Sequence, residues 1–169
     1  MSMSKRRKDY LAELEKTAGD ILHAENMQLS KKNIQHGSVS VFEHSVAVTV
    51  KCLELADMLH AKVDRRSLIR GALLHDYFLY DWHDGGRRHP PHGFTHAKTA
   101  LENAEKEFSL NRTERDMIYC HMFPLNITRI PACRESVILC IADKIVGTAE
   151  TVGGYAERLR GRLSKGEKK

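Results

Sequence analysis

Residues 68–76 read Leu-Ile-Arg-Gly-Ala-Leu-Leu-His-Asp. Leu68, Ile69, Ala72 and Leu73 fall on one face at helical spacing, and Asp64 stands where an N-cap belongs, so a buried helix is predicted from Asp64 to about Asp76. His75 and Asp76 close its apolar face, which places an imidazole and a carboxylate at the inner end of a core element. Working outward, Val41, Ser45, Val48, Cys52, Leu55 and Leu59 form the stripe of a preceding helix over 41–60. Ahead of it, residues 30–37 are polar and read as a loop. A first amphipathic helix spans 5–27, with Tyr10, Leu11, Leu14, Ala18, Ile21 and Leu22 inward and Gly19 as a weak point.

Downstream, residues 77–94 (YFLYDWHDGGRRHPPHGF) interrupt the periodicity. A connection that long inside a small domain is usually functional or disordered, and its aromatic content favours order. It is expected to rim a site, with Tyr77, Phe78, Tyr80 and Trp82 in core packing rather than walling a base-stacking pocket. Thr95 is expected to cap a helix ending near Phe108, and Asn111 with Glu114 makes a capping box for another reaching His121. After the Pro124 and Pro131 loop, a helix is predicted over 132–151, with Gly153 and Gly154 separating it from a short basic helix in 154–169. No stretch alternates as a half-buried strand does. The expectation is an all-α bundle of about six to seven helices without a sheet, forming a single domain over 1–169 with its core in 36–150.

The composition fits that reading and excludes several others. The chain has 169 residues, 41% hydrophobic and 29% charged, which is an ordinary globule and neither fibrous nor disordered. The longest unbroken apolar run, Val137–Ala142, is far short of the ~20 residues of a membrane span. The basic start MSMSKRRK leads into an acidic amphipathic segment instead of an apolar one, so a signal peptide is not expected and a cytoplasmic location is. The net charge is +5, but residues 9–152 carry 17 basic and 20 acidic groups, so the excess sits at the ends. Solvated termini explain it better than nucleic-acid binding. Cys52, Cys120, Cys133 and Cys140 include no CxxC pair and read as buried thiols.

The chain has 10 histidines. His23, His60, His83 and His89 fall in polar or loop surroundings. His44, between Val41 and Val48, His75, and His121, one turn beyond Met117 and Ile118, lie on apolar faces. Asp143 has Leu139, Cys140 and Val146 as helical neighbours, where an ionised carboxylate needs strong compensation. Imidazoles and carboxylates facing inward from different helices are how helical proteins build metal sites. Without thiolate, such a set suits Fe, Mn, Co, Ni, Zn or Mg.

The order His44, His75-Asp76 (GALLHD) and Asp143 (LCIADKI), carried on helices, resembles the HD-domain metal-dependent phosphohydrolase superfamily over residues 36–150. The resemblance implies that His44, His75, Asp76 and Asp143 hold one metal. His96 (THAKTALENA) and His121 (IYCHMFP) stand where the dinuclear branch, which includes cyclic-dinucleotide phosphodiesterases and symmetrical dinucleoside tetraphosphatases, has two more histidines. By that likeness Asp76 bridges two divalent ions, with His96 and His121 on the second. His92 is a further ligand or a phosphate contact. The chain lacks the arginine that often precedes the first histidine, and lacks the GYP motif, which disfavours a cyclic-dinucleotide substrate. It is similar to small stand-alone bacterial HD proteins with an HDYFLYDWH stretch.

The implied activity is hydrolysis of a phosphate ester or anhydride of a small molecule, with a nucleotide foremost, by metal-activated water. Asp76, Lys144 and Lys98 are the expected catalytic groups. Arg87, Arg88 and Arg129 join His92 as expected substrate contacts. Two alternatives stand beside this: a dinuclear iron oxygenase, and a metal-stabilised nucleotide-binding regulatory module.

Overall fold

The Asp64 side chain accepts hydrogen bonds from the backbone N–H groups of Arg66 and Ser67, and a helix follows at once. The computed structural model describes residues 3–79 and 92–166, with side chains described over 5–79 and 95–155. The elements are α1 (Met3–Leu22), α2 (Glu25–Leu29), a 3-10 turn (Ser30–Lys32), β1 (Ile34–His36), β2 (Val39–Ser40), α3 (Val41–Met58), α4 (Arg65–Leu74), α5 (His92–Glu107), α6 (Arg112–Cys120) and α7 (Arg134–Gly166). Among the described residues the protein is all-α apart from one two-stranded hairpin. No helix among the described residues is long and apolar enough to cross a membrane.

Helix α4 is the centre of the bundle. Every residue from Ser67 to Leu74 is buried, and α1, α3, α5, α6 and α7 all pack against it. A helix enclosed on all sides cannot carry an unpaired charge. Its one buried cation, Arg70, lies 2.8 Å from Asp20 of α1 and 3.2 Å from Glu114 of α6. Glu114 is itself fully buried and closes the α6 capping box with Asn111. The same carboxylate thus starts α6 and ties it to α4. Gly71 allows the two helices to approach closely, because a Cβ there would lie 2.6 Å from Met117 Sδ.

Several boundaries differ from the sequence expectation. The segment expected as a loop contains β1, paired antiparallel with β2 through a turn in which Gly37 has φ +62°. Strands of three and two residues are too short to display a period of two, so the hairpin leaves no pattern to read. The first helix is divided into α1 and α2, with a non-helical Ala18 beside Gly19. Leu11 and Leu59, expected inside, are 38% and 60% exposed. Helix α5 begins at His92, ahead of Thr95, and α7 begins at Arg134. Helix α7 also runs straight through Gly153 and Gly154, so the separate terminal helix does not exist. Two glycines cost a helix only about 1 kcal/mol each, which a long element absorbs. Cys133 is only half-buried, unlike the other three thiols.

Tyr77 and Phe78 lie in the core, as core-packing aromatics should. The Tyr77 hydroxyl donates to Glu107 at 2.5 Å, and Asn103 Nδ2 donates to the carbonyls of Tyr77 and Phe78. Tyr80 and Trp82 lie outside the described residues.

Gly71→Val is expected to destabilise the protein by about 1–3 kcal/mol, because buried Met117 has nowhere to move. Gly153, with no heavy atom within 4 Å of an added Cβ, provides the contrast. Gly153→Ala should leave stability unchanged or raise it by up to about 1 kcal/mol. Denaturant unfolding of both variants checks the pair.

Candidate metal centre

Five helices each deliver part of one polar cluster. Ser40 and Glu43 form a reciprocal capping box at the start of α3, and the next residue, His44, points from that first turn into the interior. His75 is the C-cap of α4 and Asp76 follows it. His96 lies near the start of α5, His121 is the C-cap of α6, and Asp143 lies in the first half of α7. All except Asp143 are at most 4% exposed, and the Asp143 side chain is 16% exposed.

The side chains form two groups that share one carboxylate. His44, His75 and Asp143 bring their ligand-capable atoms within 4.8 Å of one another, as do Asp76, His96 and His121. Asp76 Oδ2 lies 3.3 Å from His75 Nε2 and 3.7 Å from His44 Nε2. Its other oxygen, Oδ1, lies 3.4 Å from His96 Nε2 and 3.5 Å from His121 Nε2. The two oxygens of one buried carboxylate therefore face different sets of imidazoles.

The chemistry of these atoms fits a cation. His75 Nδ1 is 2.7 Å from the Ala72 carbonyl and His121 Nδ1 is 2.8 Å from that of Ile118. A carbonyl only accepts, so both Nδ1 atoms donate, and in the neutral ring Nε2 is left as a bare lone pair. His75 Nε2 and Asp76 Oδ1 are buried without a hydrogen-bond partner. His96 Nε2 and His121 Nε2 approach to 2.8 Å. Buried acceptors without a donor, such as His75 Nε2 and Asp76 Oδ1, are costly, and a divalent ion is their natural complement.

A cavity of about 410 Å³ opens onto Asp76, His96, His121 and Asp143, within the range of small-molecule sites. Its lining also includes Gln35, His36, Lys144 and Thr148. Lys144 Nζ donates to the carbonyls of His121 and Cys140, at 3.2 Å each. Lys98 stands apart, exposed and 3.6 Å from Glu102. Arg129 also stands apart, its guanidinium 4.1 Å over the Tyr119 ring. Arg87 and Arg88 lie outside the described residues, as does the side chain of His92.

Sequence reading passed over Gln35, His36 and Glu150. Gln35 Nε2 donates to Asp76 Oδ2 at 2.5 Å, and Glu150 Oε2 lies 2.8 Å from His44 Nδ1. Glu150 had a legible signal, since it follows Asp143 by seven residues, two helical turns on the same face. Gln35 and His36 had none, because their placement depends on the unpredicted hairpin.

The HD-domain family model matches residues 41–147, well over half the chain. The chain belongs to the HD-domain family. Every side chain in the two three-residue groups lies inside the matched segment. HD domains are in general metal-dependent phosphohydrolases, and their metals are divalent. No curated protein and no solved structure matched the chain.

The cluster is strongly polarised when metal-free. Burial opposes charge on His44, but its hydrogen bonds to Asp143 and Glu150 prevail and raise its pKa from 6.5 to about 9. His75 is likewise raised well above its ordinary value, burial being outweighed by Asp76 and Asp143. Burial and the neighbouring His96 push His121 down to about 3. Burial alone would raise the carboxyls of Asp76 and Asp143, yet the adjoining histidines hold both well below the usual range. For His44 and His75 the folded pKa exceeds the unfolded one, so their stabilisation is complete below about pH 6.5 and is lost as pH rises through the folded values, about 9 for His44. With a chelator present, the protein should therefore unfold at lower denaturant at pH 8.5 than at pH 6.5. Replacing His44 by Gln should shrink that difference.

Proposed function

We propose that this HD domain is a phosphohydrolase with a dinuclear divalent metal centre, acting on a small phosphorylated molecule, with nucleotides the first class to test. One observation carries the reading: the two buried oxygens of Asp76 face two separate imidazole sets beside an open cavity. His44, His75, Asp143 and Asp76 would hold one ion, and Asp76, His96 and His121 the other. Divalent ions in such a pair lower the pKa of bound water and neutralise charge on a phosphoryl group.

The chain's own residues supply orientation and electrostatics. Gln35 donates to Asp76 and so restricts rotation of the shared carboxylate. Backbone carbonyls fix the rings of His75 and His121. Lys144 adds positive charge at the cavity wall, suited to an anionic substrate. His92, Arg87 and Arg88 are proposed as further phosphate contacts from the segment between Asp76 and His96. Lys98 and Arg129 are left out of the site, because neither lines the cavity.

Elemental analysis and a phosphate-release screen test the proposal. Parent protein loaded with Mn, Co, Ni or Mg should hold close to two ions per chain and release phosphate from at least one nucleotide. Asp76→Ala should lose turnover and most of both ions, whereas His121→Ala should keep about one ion. One ion in both parent and His121→Ala under metal-replete conditions would reject the dinuclear site. Oxygen-dependent turnover of an iron-loaded protein without phosphate release would replace the hydrolase by an oxygenase.

A further inference from the structure

His44 differs from its neighbours in what holds it. His75 and His121 are helix C-caps, and each reaches back to a carbonyl three residues earlier, which the ending helix leaves available. His44 stands in the first turn of α3, where orphan groups are N–H donors rather than carbonyl acceptors. No such local acceptor exists for its Nδ1. The partner comes instead from 106 residues away, where Glu150 Oε2 lies 2.8 Å from Nδ1. The other ring nitrogen, Nε2, lies 3.2 Å from Asp143 Oδ1. Helix α7 thus places one carboxylate on each side of a fully buried imidazole. Gly147, between them on α7, leaves room for rings, since a Cβ there would lie 3.2 Å from His36 Nε2 and 4.0 Å from His44 Cε1.

We propose that Glu150 is a positioning residue for the metal centre, holding the His44 ring with Nδ1–H toward Glu150 and Nε2 toward Asp143. The inference rests on the metal reading above and extends it to a residue outside the matched family segment. Glu150 is an anion, whereas the acceptors for His75 and His121 are neutral carbonyls, so it both orients the ring and raises the basicity of Nε2 as a ligand. His36, His44 and Glu150 also stand close enough to be considered as a separate ion site. That reading competes with the proposal, because His44 would then have to give one nitrogen to each of two metals.

The test uses full-length protein loaded with zinc, chelator competition to obtain affinity, and 15N-histidine NMR of the loaded state. Glu150→Leu should weaken zinc binding by about 10–100-fold and lose the protected His44 Nδ1–H signal, leaving those of His75 and His121 in place. Glu150→Gln should keep that signal with a smaller loss of affinity, because the amide oxygen still accepts but carries no charge. Should Glu150→Leu fail to fold, parent-level affinity in Glu150→Gln would overturn the proposal. So would parent-level affinity in Glu150→Leu, or a persistent His44 signal in it. His36→Leu should retain the parent stoichiometry; loss of one ion would instead assign the trio as a metal site. A parent that binds no zinc would overturn the metal reading and this proposal with it, whereas zinc bound equally with and without Glu150 would overturn only this proposal.

Discussion

The carboxylate of Asp76 is the constraint around which the molecule is arranged. It is 3% exposed, and four imidazoles stand within 3.7 Å of its two oxygens. An isolated carboxylate at that depth would be neutral or would unfold its surroundings. Here each histidine comes from a different helix, so gathering the four rings around it requires α3, α4, α5 and α6 to be in register at once.

The rest of the bundle holds that register. Helix α4 is packed against five others, and its buried cation, Arg70, is met by Asp20 on one side and Glu114 on the other. Glu114 closes the cap that starts α6 while pairing with α4, which ties the first turn of α6 to the central helix. Close passage at Gly71 brings the two C-caps, His75 and His121, to a ring separation of 5.0 Å. Helix α7 supplies Asp143 and Lys144 from one turn and Glu150 from two turns further on. Electrostatics and packing thus act on the same few helix ends.

Much of this was legible before any coordinates. The capping box at Asn111–Glu114 and the cap at Asp64 are local hydrogen-bond patterns, and both are present. The burial of His44, His75 and His121 follows from the apolar residues beside them on each helix. The hairpin at Ile34–Ser40 and the unbroken course of α7 through Gly153 and Gly154 were misread. In both cases the local signal was weak, and contacts distant in sequence decided the outcome. Gly37 sits with Glu150 and Gly154 of α7 within 3.4 Å of where its Cβ would be, so the two misread segments pack against each other.

Helical period, caps and the polar residues on apolar faces are properties of short windows, and the sequence alone determined an all-α chain with inward-facing histidines and aspartates. What no window contains is the angle at which one helix meets another. That angle decides that Asp76 presents one oxygen to each imidazole set, that Gln35 reaches it from a strand, and that Glu150 takes the far nitrogen of His44. Those relations join residues separated by up to 106 positions, and only packing of the assembled core brings them within hydrogen-bond distance.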